Sequence, residues 1–370
     1  MALDVASPAA AAALPRQLGA LTGVRGVAAW LVVLFHARPW TEGLLHPAVL
    51  HVFSFGYLAV DLFFMLSGFV IWHNYAARLA DGGPGAMRSF LWRRFARVWP
   101  LHGAMIAAFA VFAAVMGLLG ADLSRFPPGH LPYHILLIQA WGFIDPLKWN
   151  DPSWSISTEV AAYLLFPALV VLLGRRWVAL GGWLLLVAGV LAAVHALFAA
   201  HGYVSLGADI ARFGLWRCLA EFAVGALVCV GWSRRPDLPA VVPVAVLAAV
   251  LAAGWAWQLP ETAIAPPAFA ATLYALALLR GLPARIFDTR PLRYLGEISY
   301  STYLSHSFIG AVAAALAGGA VLGAGGLMAY FAAVLAASVL LYHRLEKPAQ
   351  RWLQAHTPGW IEPHRTIPAG

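Results

Sequence analysis

Of 370 residues, 62% are hydrophobic and only 11% charged, against about 25% charged in a soluble domain, and the mean hydropathy is +0.76. This balance excludes an ordinary enzyme dissolved in water and predicts an all-α, polytopic helix bundle in a cell membrane. The formal charge of +8 does not call for nucleic acid as a partner, because arginines gathered on alternate loops of a membrane bundle account for it.

In chain order, residues 1–20 are Ala-rich, contain Asp4 and lack a basic start leading straight into an apolar run. They read as a short cytoplasmic tail and not as a cleaved signal. Apolar runs then predict ten spans, at 21–40, 52–73, 98–120, 155–174, 177–199, 212–232, 238–258, 266–280, 295–318 and 323–343. Arg78, Arg88, Arg93, Arg94 and Arg97 follow the second span, Arg175 and Arg176 the fourth, and Arg234 and Arg235 the sixth. Arg280, Arg285, Arg290 and Arg293 follow the eighth, and Arg344, Lys347 and Arg351 the tenth. With ten spans and both termini cytoplasmic, every cluster falls on one side. The opposite loops hold little beyond Arg38, Arg125 and Lys148. The stretch LPYHILLIQAWGF at 131–143 is short for a crossing, and a crossing there would invert every later cluster. It is expected at the outer surface or as a re-entrant piece packed on protein. The expected organisation is a cytoplasmic tail (1–20), a transmembrane domain (21–352) and a second cytoplasmic tail (353–370).

Polar residues inside such spans are costly and mark function or tight pairing. In LTGVRGVAAWLVVLFHA, Arg25 and His36 are eleven residues apart, which returns a helix to within about 20° and separates the pair by about 16 Å along the axis. His36 is expected about halfway along this helix and Arg25 near its cytoplasmic end. A histidine can take a proton from a hydroxyl near neutral pH, although a lone membrane histidine can equally be a satisfied hydrogen-bond partner. In the second span, Asp61 needs a partner, and Ser67 with Gly68 permits close helix approach. In RRFARVWP, Arg94 and Arg97 point to similar sides of a helix. They suit either a basic anchor or a ligand with several phosphates. Trp154, Ser155, Ser157 and Glu159 in WNDPSWSISTEV sit at an outer mouth where a hydroxylated acceptor could bind, and Ser299, Tyr303 and His306 form one stripe of the ninth span. Arg217 and Glu221 are spaced for an ion pair on the sixth span. Cys218 and Cys229 lie too far apart on that same helix to pair, and neither they nor the histidines have metal-site spacing. These residues leave two classes open: a transporter of an anionic solute and an acyl-type transferase.

LTGVRGVAAWLVVLFHA resembles the first helix of the membrane acyltransferase-3 family, whose hallmark is an arginine, ten residues, then a histidine. The resemblance continues through GYLAVDLFFMLSGFVIW, RRFARVWP, DPSWSISTEVAAYLLFP, LGEISYSTYLSH and EKPAQRW, in the family's order, over positions 18–352. It implies a ten-helix, multi-pass O-acyltransferase that takes an acyl group, commonly acetyl, from cytoplasmic acyl-CoA. The acceptor it implies is a hydroxyl on an extracytoplasmic glycan or lipid-linked sugar. By position, His36 becomes the catalytic histidine and Arg25 its companion, Arg94 and Arg97 the arginine pair at the acyl-CoA entrance, and Glu159 the carboxylate of the tryptophan–serine motif. Trp154, Ser157, Tyr303 and His306 join Glu159 as candidate substrate-binding residues. His36 would act as general base or form a transient acyl-imidazole, with no metal required. Some relatives append an esterase-like domain, which here would have to be a separate protein. Acylation of a small natural product such as a macrolide keeps the chemistry and changes the side of the acceptor.

Overall fold

The computed structural model describes residues 14–41, 43–173, 180–318 and 322–361. The expected tail segments 1–13 and 362–370, together with Arg175 and Arg176, lie outside the described residues. All regular structure among the described residues is helical: α1 (Leu14–Ala37), α2 (Pro47–Ser54), α3 (Ala59–Leu118), α4 (Leu131–Ile135), α5 (Ser153–Leu173), α6 (Leu180–Ala199) and α7 (Ile210–Arg234). There follow α8 (Val241–Trp257), α9 (Glu261–Leu278), α10 (Gly281–Phe287), α11 (Arg290–Glu297), α12 (Ser299–Leu316) and α13 (Ala324–Leu341). A π-helical turn (Tyr342–Glu346) then leads into α14 (Lys347–Ala355). Among the described residues, seven helical stretches are long and apolar enough to cross a membrane. The chain is a multi-pass membrane helix bundle.

The 60-residue α3 would measure about 90 Å if straight, roughly three times a hydrocarbon core. It bends at Gly83, where φ is +56° and ψ −155°, a conformation that only glycine adopts without strain. The expected second and third spans are thus the two limbs, 59–82 and 84–118, of one bent element. α3 makes its most extensive contacts with α7. There Gly68 lies against the carbonyl of Phe222 and Gly225 against that of Met65, so closely that a Cβ on either would come within 1.9 Å of oxygen. Small residues at a crossing are what lets two membrane helices touch backbone to backbone.

Apolar side chains on the outer faces stay exposed, among them Leu118, Leu172 and Leu185 at 89%, 68% and 75%. Polar and charged residues such as Asp61, Arg217, Glu221 and His306 are buried within. This inversion is the signature of a lipid-facing surface. α1 begins at Leu14, before the expected 21, and α14 continues the C-terminal part past 353. Leu353 accepts a hydrogen bond from Trp92 Nε1 at 3.1 Å, and Ile361 is buried. The 131–143 stretch forms the short α4 and then turns. Ser157 anchors it, donating to Leu137 O at 2.8 Å and accepting from Ala140 N at 3.1 Å, while Trp141 Nε1 donates to Ser157 O at 3.0 Å. Irregular backbone in such a bundle must find its partners on protein, and here it does.

Candidate active site

The bend in α3 folds its second limb back so that Arg94 and Arg97 lie beside Ser67 and Val70 of the first, facing α1, α5 and α12. Between these four helices lies a cavity of about 220 Å³. Arg25, Arg94 and Arg97 line it together with Ser67, Glu159 and Tyr163, and it is bounded toward Ser155 by Phe63 and Tyr303. From Tyr163 to Ser155 along α5 is about 12 Å at helical rise.

The three arginines differ in what they hold. Arg97 forms a salt bridge with Glu346 of the π-helical turn, whose side chain is 1% exposed and also accepts from Ser301 Oγ at 2.6 Å. The Arg97 guanidinium lies 5.2 Å from the Tyr300 ring centre. Arg94 sits over Tyr75 and Tyr163 at 5.6 Å from each ring centre, and its buried Nε has no hydrogen-bond partner. Neither Arg94 nor Arg25 makes an ion pair among the described residues. Glu159 accepts a hydrogen bond from Ser67 Oγ.

His36 lies in the last turn of α1, not halfway along it, and Arg25 occupies the middle. His36 is not part of the cavity wall. Its Nδ1 stands 2.9 Å from Val32 O and 3.3 Å from Nε2 of His306 on α12, with ring centres 4.9 Å apart. His306 is fully buried and His36 half-buried. Tyr303, one turn before His306, lines the cavity. Its ring centre is 6.0 Å from that of His306, and its hydroxyl bonds Ser155 Oγ at 2.7 Å and donates to Pro152 O at 3.1 Å. Tyr303 thus touches both the arginine-lined cavity and the His306 ring.

Two other candidates lie away from the cavity. Trp154 packs edge-on to Phe64 and under the Arg217 guanidinium, 5.7 Å from its ring centre. Ser157, fully buried, spends its hydroxyl on the 137–140 backbone. The expected Arg217–Glu221 pair is replaced by a longer-range one. Arg217 Nε donates to Asp61 Oδ1 at 2.6 Å, Nη2 reaches the second carboxylate oxygen and Nη1 donates to Leu206 O at 2.8 Å. The fork of a guanidinium matches both oxygens of a carboxylate on a neighbouring helix better than one on its own, and both oxygens of Glu221 stay without a partner. Glu346 escaped the sequence reading as a site residue. Its signal was available: a lone acid between Arg344 and Lys347 in RLEKPAQRW. Among the described residues no group of three or more His, Cys, Asp or Glu is gathered as for a metal ion.

A family model described as an acyltransferase domain, of the acyltransferase-3 type, matches residues 18–343. Acyltransferase MdmB of Streptomyces mycarofaciens is 29% identical over 92% of this chain and 94% of its own length. Peptidoglycan O-acetyltransferase OatA of Listeria monocytogenes is 22% identical over 79% of this chain, though over only 49% of its own. No solved structure gives a significant match.

Proposed function

The chain belongs to the acyltransferase-3 family of integral-membrane O-acyltransferases, and from that footing we propose that it moves an acetyl group from cytoplasmic acetyl-CoA to a hydroxyl of an extracytoplasmic glycan or lipid-linked sugar. The family sets aside the transporter of an anionic solute. The observation that carries the donor half is the pair of cavity-lining guanidiniums, Arg25 and Arg94, left without ion-pair partners. Buried cations persist only when an anion or a polar shell compensates them, and the phosphates of CoA are such anions. Arg97, steadied by Glu346, completes the inner rim.

The reading takes the crossings as ten: α1, the two limbs of α3, and α5, α6, α7, α8, α9, α12 and α13, with both termini cytoplasmic. The positive-inside asymmetry of the arginine clusters supports this arrangement. Residues 21–352 then form the catalytic domain between two cytoplasmic tails. In that frame the arginine cavity opens inward, and His36, at the far end of α1, lies near the outer surface where an acceptor sugar arrives. The pantetheine arm runs from Arg94 past Arg25 toward Tyr303, with Glu159 along its route. There His36 Nε2 takes the proton of the acceptor hydroxyl as its oxygen attacks the thioester carbonyl carbon. The carbon–sulfur bond breaks, and the departing CoA thiolate recovers the proton from His36, which returns to its starting state. The Listeria relative is a peptidoglycan O-acetyltransferase, which supports an outer hydroxylated acceptor.

The test uses proteoliposomes loaded with radiolabelled acetyl-CoA and a glycan fraction of the host cells. Label is expected in ester linkage on the glycan, and His36→Ala is expected to lower its appearance by about 10²-fold or more at unchanged protein abundance. Persistent turnover in His36→Ala removes the base, and label that crosses without forming an ester removes acyl transfer.

A further inference from the structure

Two backbone carbonyls determine where the protons of the histidine pair reside. His306 Nδ1 lies 3.2 Å from Thr302 O and His36 Nδ1 lies 2.9 Å from Val32 O. A carbonyl only accepts, so each Nδ1 carries its hydrogen. A neutral His306 is then bare at Nε2, and that lone pair faces His36 Nδ1 at 3.3 Å. The Nδ1–H of His36 is shared between Val32 O and His306 Nε2. The remaining nitrogen of His36, Nε2, makes no hydrogen bond among the described residues and belongs to a half-buried ring.

We propose that His306 is a positioning residue for the reaction: its unprotonated Nε2 accepts from His36 Nδ1–H, fixing His36 in the tautomer whose Nε2 lone pair is free for the acceptor hydroxyl. The proposal rests on the reading of His36 as base and adds the source of its orientation. A triad uses an aspartate for this task, holding the tautomer and the ring plane. Here a second imidazole does so, with a rigid setting of its own. His306 is fully buried, its Nδ1 is tied to the helix turn below, and its carbonyl accepts from Tyr330 at 3.4 Å. Once His36 takes the substrate proton at Nε2, the same Nδ1–H donates from an imidazolium, so the bond to His306 strengthens as charge develops. No covalent change occurs at His306. The arrangement also gives a chemical reason for a histidine in the SYSTYLSH stretch: a residue there must donate downward to Thr302 and accept sideways from His36 at once, and among neutral side chains imidazole does both within one ring.

The experiment compares three substitutions in the proteoliposome assay, with acetyl-CoA as donor and the host glycan fraction as acceptor. His306→Gln places an amide oxygen near the position of Nε2 and is expected to keep kcat within about threefold of the wild type. His306→Asn reaches only the position of Nδ1, and His306→Phe has no acceptor, so both are expected to lose kcat by about 10²-fold with KM for acetyl-CoA unchanged. Should His306→Phe fail to accumulate, the contrast between Gln and Asn decides the matter, since both are amides. Equal kcat in Gln and Asn, or a wild-type kcat in Phe, overturns the proposal. His36→Ala in the same assay separates the two claims. Turnover that persists in it removes the base and the tautomer argument together. Its loss alongside wild-type rates in His306→Phe overturns the role of His306 alone.

Discussion

Arg94 and Arg97 are three residues apart, yet they answer to different forces. Arg94 has aromatic faces on two sides and no carboxylate, whereas Arg97 neutralises Glu346, whose side chain is 1% exposed. Removing the first gives up two cation–π contacts, each worth about 0.5–1 kcal/mol at such sites, and breaks no ion pair. Removing the second leaves a buried carboxylate alone, which costs about 3–5 kcal/mol. Arg94→Ala is therefore expected to raise KM for acetyl-CoA about tenfold or more, the worth of one charge-assisted hydrogen bond, with a smaller change in thermal midpoint than Arg97→Ala. Arg97→Ala is expected to lower the thermal midpoint of the detergent-solubilised protein, and adding Glu346→Gln to recover much of that loss. Kinetics and thermal unfolding on the same preparations check both, and a destabilised Arg94→Ala with an unaltered KM contradicts the assignment.

At the scale of elements, two glycines of α3 make opposite demands. Gly68 is needed for lack of space: a Cβ there lands 1.9 Å from Phe222 O. Gly83 is needed for its backbone: nothing lies within 4 Å of a Cβ, but φ is +56°. Gly68→Ala must push α3 from α7 at their most extensive contact and is expected to reduce folded yield sharply. Gly83→Ala is expected to cost only the local strain, about 1–3 kcal/mol, leaving yield near wild type. Size-exclusion profiles of the two variants distinguish these outcomes. The contrast also marks what a sequence reading reaches. Apolar runs located α1, α5, α7 and α13 because burial in lipid acts on each helix separately, and Ser67–Gly68 was legible as a crossing point. Arg25, Arg94, Arg97, Glu159 and Tyr303 were legible and do line one cavity. The partners across helices were not: Asp61 with Arg217, Arg97 with Glu346 and His36 with His306 depend on the rotation and depth of separate helices. Spacing within one helix carries no such information, which is why Glu221 was matched to Arg217 and the true partner lay 156 residues away.

Taken whole, the described residues bury polar groups such as Asp61, Arg217 and His306 and leave apolar side chains such as Leu118 and Leu185 exposed. The proposed route from Arg94 past Tyr303 to His36 has a direction only if the ends of the bundle face different compartments. On the proposed function, sidedness therefore decides whether acyl-CoA meets the arginines and the sugar meets the imidazole. Chemical labelling can read it directly, because Cys218 and Cys229 are both buried and free and give little background toward a bulky, impermeant maleimide. Asp81 is exposed beside the bend at Gly83, and Ser124 is exposed on the loop after α3, beyond the far end of its second limb. In sealed right-side-out vesicles, Ser124→Cys is expected to label from outside, and Asp81→Cys only after permeabilisation. The physical ground is the cost of moving the arginines around that bend to the outer side, against the insertion bias that holds short basic loops in the cytoplasm. Labelling in the reverse order inverts the proposed route and brings CoA to the wrong end.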